Sequence, residues 1–267
     1  ETAYSPVRYA YTSVETPKDV TFGQITTSSI QAQAGGALSN LTAGLSGVRV
    51  ENVTAGRVSE WQRNNALWTC DGLLPNTRYT FRAQARNGDG DPTPFCAEAH
   101  AYTLALVPTA PTFGQPIGDK LAVYWSSNSN PYGTQYWCEN TITHANSGWT
   151  TGASWTDSGL SPNTRYVYRV KARNADGLET DFAAEAAGYS AIEAPSAIVF
   201  GTVTTGSVQV RSQNTPANLA QGGSGLLFEN VTTGQMSSWQ RGNDAWTSDG
   251  LQPNRAYSFR ARARNGD

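Results

Sequence analysis

Self-similarity along the chain limits how it can fold more than any other feature. Gly72-Leu-Leu-Pro-Asn-Thr-Arg-Tyr79 returns as Gly159-Leu-Ser-Pro-Asn-Thr-Arg-Tyr166 and as Gly250-Leu-Gln-Pro-Asn-Arg-Ala-Tyr257. A second marker, Phe-Gly, falls at Phe22, Phe113 and Phe200. The first marker recurs after 87 and 91 residues, the second after 91 and 87. Such a period describes a succession of similar blocks, not one large core. The blocks are of two types. Glu51-Asn-Val-Thr-Ala-Gly56 and Trp61-Gln-Arg63 return 178 residues later as Glu229-Asn-Val-Thr-Thr-Gly234 and Trp239-Gln-Arg241. The middle block carries Glu139-Asn-Thr-Ile-Thr143 and Trp149 instead. The first and third are therefore type A and the middle one type B. Residues 1–16 match the tail of the B block, Glu1-Thr2 and Val14-Glu-Thr-Pro17 repeating Glu179-Thr180 and Ile192-Glu-Ala-Pro195.

Within each block, strand-like runs alternate with period two. Tyr166, Tyr168, Val170 and Ala172 point one way, while Arg169, Lys171 and Arg173 point the other. The matching outward rows are Arg82, Gln84, Arg86 and Arg260, Arg262, Arg264. Turn signals separate the runs: Gly35-Gly36, Asn87-Gly-Asp-Gly90 and Asn130-Pro131-Tyr-Gly133. No stretch holds an apolar helical period over three turns. About seven short strands in about 90 residues is the signature of a β-sandwich. The expected fold class is all-β, an elongated array of tandem immunoglobulin-like sandwiches.

The Leu-x-Pro-x-Thr-x-Tyr motif, followed by alternation into Ala-x-Asn, resembles the E–F corner and F strand of fibronectin type III domains. Leu73, Pro75, Thr77 and Tyr79 carry it, as do Leu160, Pro162, Thr164 and Tyr166; in the third block Arg255 replaces the Thr, while Leu251, Pro253 and Tyr257 remain. The resemblance makes Tyr79, Tyr166 and Tyr257 corner tyrosines, buried with hydroxyls bonded to the backbone. It makes Trp125 the core tryptophan of strand B, a position where the A blocks have Ile30-Gln-Ala and Val208-Gln-Val. Trp68, Trp155 and Trp246 are expected at equivalent places. More narrowly, the chain resembles tandem type III modules of large secreted or surface bacterial proteins. The domains that follow are residues 1–16 as the G strand of a preceding repeat, 17–107 (type A), 108–194 (type B) and 195–267 (type A without its G strand).

Chemistry-bearing residues are sparse. His100 and His144 lie in different blocks without matching neighbours, so neither a nucleophile–base pair nor a catalytic site is expected. No cofactor or metal is expected either. The three cysteines lack metal spacing; Cys70 and Cys96, both in the first block, are a candidate disulfide, and Cys138 reads as buried and free. The acidic turns after each F strand offer oxygens to Ca²⁺, or simply the positive φ that a hairpin needs. Arg outnumbers Lys 16 to 3. The outward Arg rows are therefore either a solvated face or a ladder of guanidinium groups stacked on Trp61, Trp137, Trp149 or Trp239. Exposed aromatics could otherwise serve as a sugar platform. Asn40, Asn52 and Asn230 stand in N-x-Thr sequons and are candidate glycosylation sites.

A formal net charge of −2 with 15% charged residues removes the electrostatic drive toward nucleic acid, and no run of about 18 apolar residues is present to span a membrane. The expected function is a structural segment of an extracellular or cell-surface fibril or stalk. The alternatives are carbohydrate-binding or spacer modules of a secreted polysaccharide-degrading enzyme, and an adhesin. The expected partners are other copies of the chain or flanking repeats, head to tail, and glycans under the alternative. Tyr4, Pro6, Arg8, Ala10 and Tyr11 are the expected polymer contacts. Residues 4–12 would complete the sandwich of residues 195–267 of a preceding copy, within a longer covalent array or by strand donation.

Overall fold

A computed structural model describes residues 1–267. It contains strands and turns and no helix. The strands fall into three successive groups, each making two antiparallel sheets. In the first group, β1 (Val20–Ile25), β2 (Ile30–Ala34) and β5 (Trp68–Cys70) form one sheet in the order β1-β2-β5. Strands β3 (Gly47–Asn52), β4 (Arg57–Val58), β6 (Arg78–Arg86) and β7 (Ala99–Tyr102) form the other, ordered β4-β3-β6-β7. The alternation works as the sequence suggests. Tyr79, Phe81 and Ala83 of β6 turn inward and join Ile30, Ala32, Val48 and Val50 in one buried cluster. Each large apolar side chain buried there stabilises the sandwich by roughly 1.5–3 kcal/mol.

The middle group repeats the plan. β8 (Thr112–Phe113), β9 (Leu121–Tyr124) and β11 (Ser154–Asp157) make one sheet; β10 (Gln135–Asn140), β12 (Arg165–Arg173) and β13 (Ala186–Tyr189) make the other. In the third group, β14 (Ile198–Val203), β15 (Val208–Ser212) and β18 (Trp246–Ser248) face β16 (Gly225–Asn230), β17 (Gln235–Met236) and β19 (Phe259–Arg264). Strand order there is β17-β16-β19, so β19 has a strand on one side only, whereas β6 and β12 have one on each. By compactness the chain divides into two units. One comprises Glu1–Val107 with Ser127–Gln135 and Ala172–Asp181; the other comprises Pro108–Ser126, Tyr136–Lys171 and Phe182–Asp267.

The corner tyrosines behave as expected in two sandwiches. Tyr79 and Tyr166 are buried, and their hydroxyls accept hydrogen bonds from Leu74 N at 2.8 Å and Ser161 N at 2.9 Å. Tyr257 corrects the expectation. Its hydroxyl accepts from Gln252 N at 2.8 Å, but the ring is only half-buried because no strand lies outside β19. The same cause leaves Phe259 half-exposed, where its counterparts Phe81 and Tyr168 are fully buried. Trp68, Trp155 and Trp246 occupy one equivalent place, paired with Ala32, Val123 and Val210. Trp125 is buried and packs on Tyr136 with ring centroids 6.2 Å apart.

Candidate functional site

One set of residues that recurs in three dimensions lies where one block meets the next. After the F strands of the first two blocks, an Asn folds the chain back on itself. Asn87 Oδ1 accepts from Asp89 N (3.1 Å) and Asp91 N (2.9 Å), and Asn174 Oδ1 accepts from Asp176 N (3.1 Å) and Leu178 N (2.8 Å). Gly90 and Gly177 supply the positive φ, at 96° and 83°. This local bonding aims the Asp carboxylate at the tyrosine that closes the preceding G-strand segment. Tyr11 N donates to Asp89 Oδ2 (2.9 Å), Tyr102 N to Asp176 Oδ2 (3.2 Å) and Tyr189 N to Asp267 Oδ1 (3.3 Å). The turn carboxylates thus hold peptide N–H groups. No group of three or more His, Cys, Asp or Glu side chains converges as a metal site would require.

In the A blocks the tyrosine ring lies on bare backbone. A Cβ built on Gly88 would sit 2.4 Å from Tyr11 ring atoms, and one on Gly266 would sit 2.3 Å from Tyr189. Gly44 and Gly222 are equally crowded, each facing the neighbouring turn's carbonyl and the same ring. Only glycine allows so close an approach. The B block has Ala175 at the matching position.

A second contact comes from the Asn of each Leu-x-Pro-Asn corner, held in the left-handed region at φ 42° (Asn76), 45° (Asn163) and 55° (Asn254). Asn163 is fully buried; its Nδ2 reaches Asn218 O (2.8 Å), Ser224 Oγ (2.9 Å) and Ala217 O (3.2 Å). Asn218 answers by donating to Pro162 O at 3.0 Å. Asn76 does the corresponding thing, donating to Thr134 Oγ1 (2.8 Å) and accepting from Ala175 N (2.9 Å). Asn254 is exposed.

Of the readings open for the outward Arg rows, the stacked ladder is present in part. Arg49 and Arg86 lie 4.6 and 4.5 Å from the Trp61 ring centre, and Arg264 lies 4.4 Å from that of Trp239. In the B block the cation over Trp149 is Lys171, while Trp137 packs on Trp149 and donates to Glu139. Sequence reasoning missed the other rungs. Arg82 stacks on Phe95 (3.9 Å) and Arg169 on Phe182 (4.0 Å). Glu51, Glu139 and Glu229 pair with Arg82, Arg169 and Arg260. The hydrogen bond from Arg260 holds Glu229 below the usual carboxylate range. The signal was available, since Phe95 and Phe182 each follow their arginine by 13 residues. None of the four tryptophans is fully exposed.

Two sets of site expectations are corrected. Asn52 and Asn230 are fully buried and cannot accept a glycan in the folded chain. Each caps a turn, Asn52 Oδ1 accepting from Ala55 N and Asn230 Oδ1 from Thr232 N, while their amides donate to Cys70 Sγ and Ser248 Oγ. Asn40 is exposed, at φ 55°. Cys70 and Cys96 are free thiols. Cys70 ends β5 in one sheet, whereas Cys96 Sγ accepts from Ala83 N of β6 in the opposite sheet, at 3.2 Å. Cys138 is buried and free, and burial pushes its thiol up to about 12. Of the expected polymer contacts, Tyr4 is wholly exposed, Tyr11 is partly covered by the Gly88 turn of its own first block, and residues 1–19 form no strand.

No protein-family model and no curated protein matches the chain. Among solved structures it is similar to the FN1–FN3 domains of chicken CNTN1, at 16% identity over 94% of this chain and 93% of that one, with a TM-score of 0.34. It is also similar to a two-domain fibronectin type III segment of chicken tenascin, at 13% identity over 66% and 98% of the two chains, with a TM-score of 0.42. The strand order defines the chain as tandem fibronectin type III-like sandwiches, three strands packed on up to four.

Proposed function

We propose that the chain is a non-catalytic structural segment of an extracellular or cell-surface fibril or stalk, built from tandem sandwiches that continue head to tail, as in large secreted or surface bacterial proteins. The observation that carries this is the recurrence of one contact, tyrosine N–H to turn Asp, at Tyr11–Asp89, Tyr102–Asp176 and Tyr189–Asp267. A contact repeated at successive block boundaries supports a chain built from units of one plan. Restricted linkers agree with this, because Pro108, Pro111 and Pro195 limit φ where blocks follow one another. A sugar-binding or adhesin role has weaker support, since cations lie against Trp61, Trp149 and Trp239. Negative-stain imaging of native material from the source tests the proposal. Rods or threads with a regular axial repeat are expected, and compact particles would overturn it.

A further inference from the structure

The middle block departs from the first at one surface. Counted back from Glu51-Asn52 and Glu139-Asn140, residues Tyr132, Gly133 and Gln135 stand where the first block has Gly44, Leu45 and Gly47. In the first block Leu45 reaches over the turn that follows the F strand, its Cδ1 lying 3.4 Å from a Cβ built on Gly90. The counterparts in the middle block, Gly133 and Gly177, each have open space where a Cβ would stand. Where the first block has a leucine, the middle block therefore has a groove, of about 480 Å³, lined by Gly133, Gln135, Arg173, Asp176 and Gly177. That volume lies in the range of small-molecule sites, roughly 300–1,000 Å³.

The lining is polar and held in place. Arg173 Nε donates to Gln135 Oε1 at 2.7 Å, which fixes the two planar groups against each other. Asp176 Oδ2 accepts from Tyr102 N (3.2 Å), and Asp176 N donates to Asn174 Oδ1 (3.1 Å). The guanidinium and carboxylate charges offset one another, so the groove draws in neither anions nor cations strongly. Tyr132, the residue before Gly133, is wholly exposed. The loop that carries it is firmly tied. Asn130 Nδ2 donates to Leu106 O (2.7 Å) and Ser127 O (2.9 Å), and Asn130 Oδ1 accepts from Leu106 N (2.7 Å). Thr134 Oγ1 donates to Pro131 O at 2.8 Å. Asn128 and Ser129 are held at φ 52° and 68°, left-handed backbone that non-glycine residues adopt only at a cost.

From this arrangement we infer a binding site for a neutral saccharide of one or two rings. The Tyr132 ring offers a flat apolar face to the C–H face of a sugar. The Gln135 amide, the Arg173 guanidinium and the Asp176 carboxylate supply donors and acceptors to its hydroxyls. A hydroxyl both donates and accepts, so it suits a lining that mixes an amide, a cation and an anion. A sulfate or carboxylate would be opposed by Asp176, and an ammonium group by Arg173. The anchored loop and the paired side chains are ordered before the ligand arrives, which lowers the entropy cost of binding. Tyr132 differs in this from Trp61, Trp149 and Trp239, whose rings already carry cations. The site goes beyond the structural function proposed above and does not depend on it.

An array of neutral and sulfated glycans probed with the purified 267-residue chain tests this, followed by titration of the best neutral oligosaccharide by amide NMR. Binding of at least one uncharged oligosaccharide is expected, with shifts at the Gly133, Gln135 and Gly177 amides. Tyr132→Ala should weaken it about tenfold to a hundredfold, whereas Tyr132→Phe should keep it, because the ring and not the hydroxyl makes the contact. Tyr132 is wholly exposed, so its loss leaves the fold intact, which unshifted amides in β12 would show. Tyr124→Ala, at a partly exposed tyrosine on the other sheet of the same block, should bind like the parent. An array without hits, hits confined to sulfated glycans, or equal losses in Tyr132→Ala and Tyr124→Ala would overturn the site. Threads in native material would uphold the structural function under either result.

Discussion

Asn163→Gly removes one side chain from a joint without straining the backbone, since glycine adopts φ 45° freely. The amide nitrogen has two hydrogens for three acceptors, so two of its bonds to Asn218 O, Ser224 Oγ and Ala217 O are made at once. At a net 0.5–1.5 kcal/mol each, these contribute about 1–3 kcal/mol. Ser224 is buried and also donates to Asn163 Oδ1 at 3.0 Å, so stranding its hydroxyl adds about 1 kcal/mol. The joint should therefore open more easily by about 2–4 kcal/mol, or roughly thirtyfold to several hundredfold at tenfold per 1.4 kcal/mol. Native-state amide hydrogen exchange reads this directly. Gly223 N and Ser224 N, which donate to Gly266 O and Gln221 O beside the buried amide, should speed up by that factor. Amides of β11 and β12 should not change. Loop rates within threefold of the parent would refute the assigned contribution. Equal acceleration throughout β11 and β12 would show that Asn163 stabilises its own sandwich and not the joint.

Asp157 is buried and accepts from Asn140 Nδ2 (2.7 Å) and the Tyr168 hydroxyl (3.0 Å), so Asp157→Leu should cost about 2–5 kcal/mol by calorimetry. Asp157→Ser, which copies Ser248 of the third block, should cost distinctly less. Because burial raises the Cys138 thiol from 9.0 to about 12 in the folded chain, its stabilising contribution is complete below pH 9 and is lost as pH climbs toward 12. Urea midpoints between pH 7 and 11 should fall in the parent and fall less steeply in Cys138→Ala. Expressed in a glycosylating host, Asn52 and Asn230 should remain unmodified by peptide mass mapping, leaving Asn40 as the one sequon open to glycan.

What could be read from the sequence was whatever repeats within a block. Period-two alternation in Tyr166–Ala172 located the F strand, and the Leu-x-Pro-x-x-x-Tyr spacing located the corner, because both depend on local backbone geometry. The joints were hidden because their partners lie far apart, Asn163 and Asn218 being 55 residues distant and Tyr11 and Asp89 78. Nothing in a single strand marks which turn it will meet. The exchange of Gly88 and Gly266 for Ala175 was a usable clue, but only once a ring was known to lie there. The sequons misled for a different reason. An N-x-Thr triplet describes what an enzyme could recognise, whereas Asn52 and Asn230 serve to cap turns that close over them.

Gly88 and Gly266 on one side, and Ala175 on the other, also give the array a parity. A tyrosine from a B-type tail lies on the bare glycine of an A block, where a Cβ would stand 2.3–2.4 Å from the ring, and the B block has Ala175 at the matching position. Loss or duplication of a single block would bring two like surfaces together. Loss or duplication of a pair leaves every junction as it was. Under the proposed head-to-tail function, length changes in steps of 178 residues would keep every junction as it is, and natural variants of the protein should differ in length by whole pairs of sandwiches.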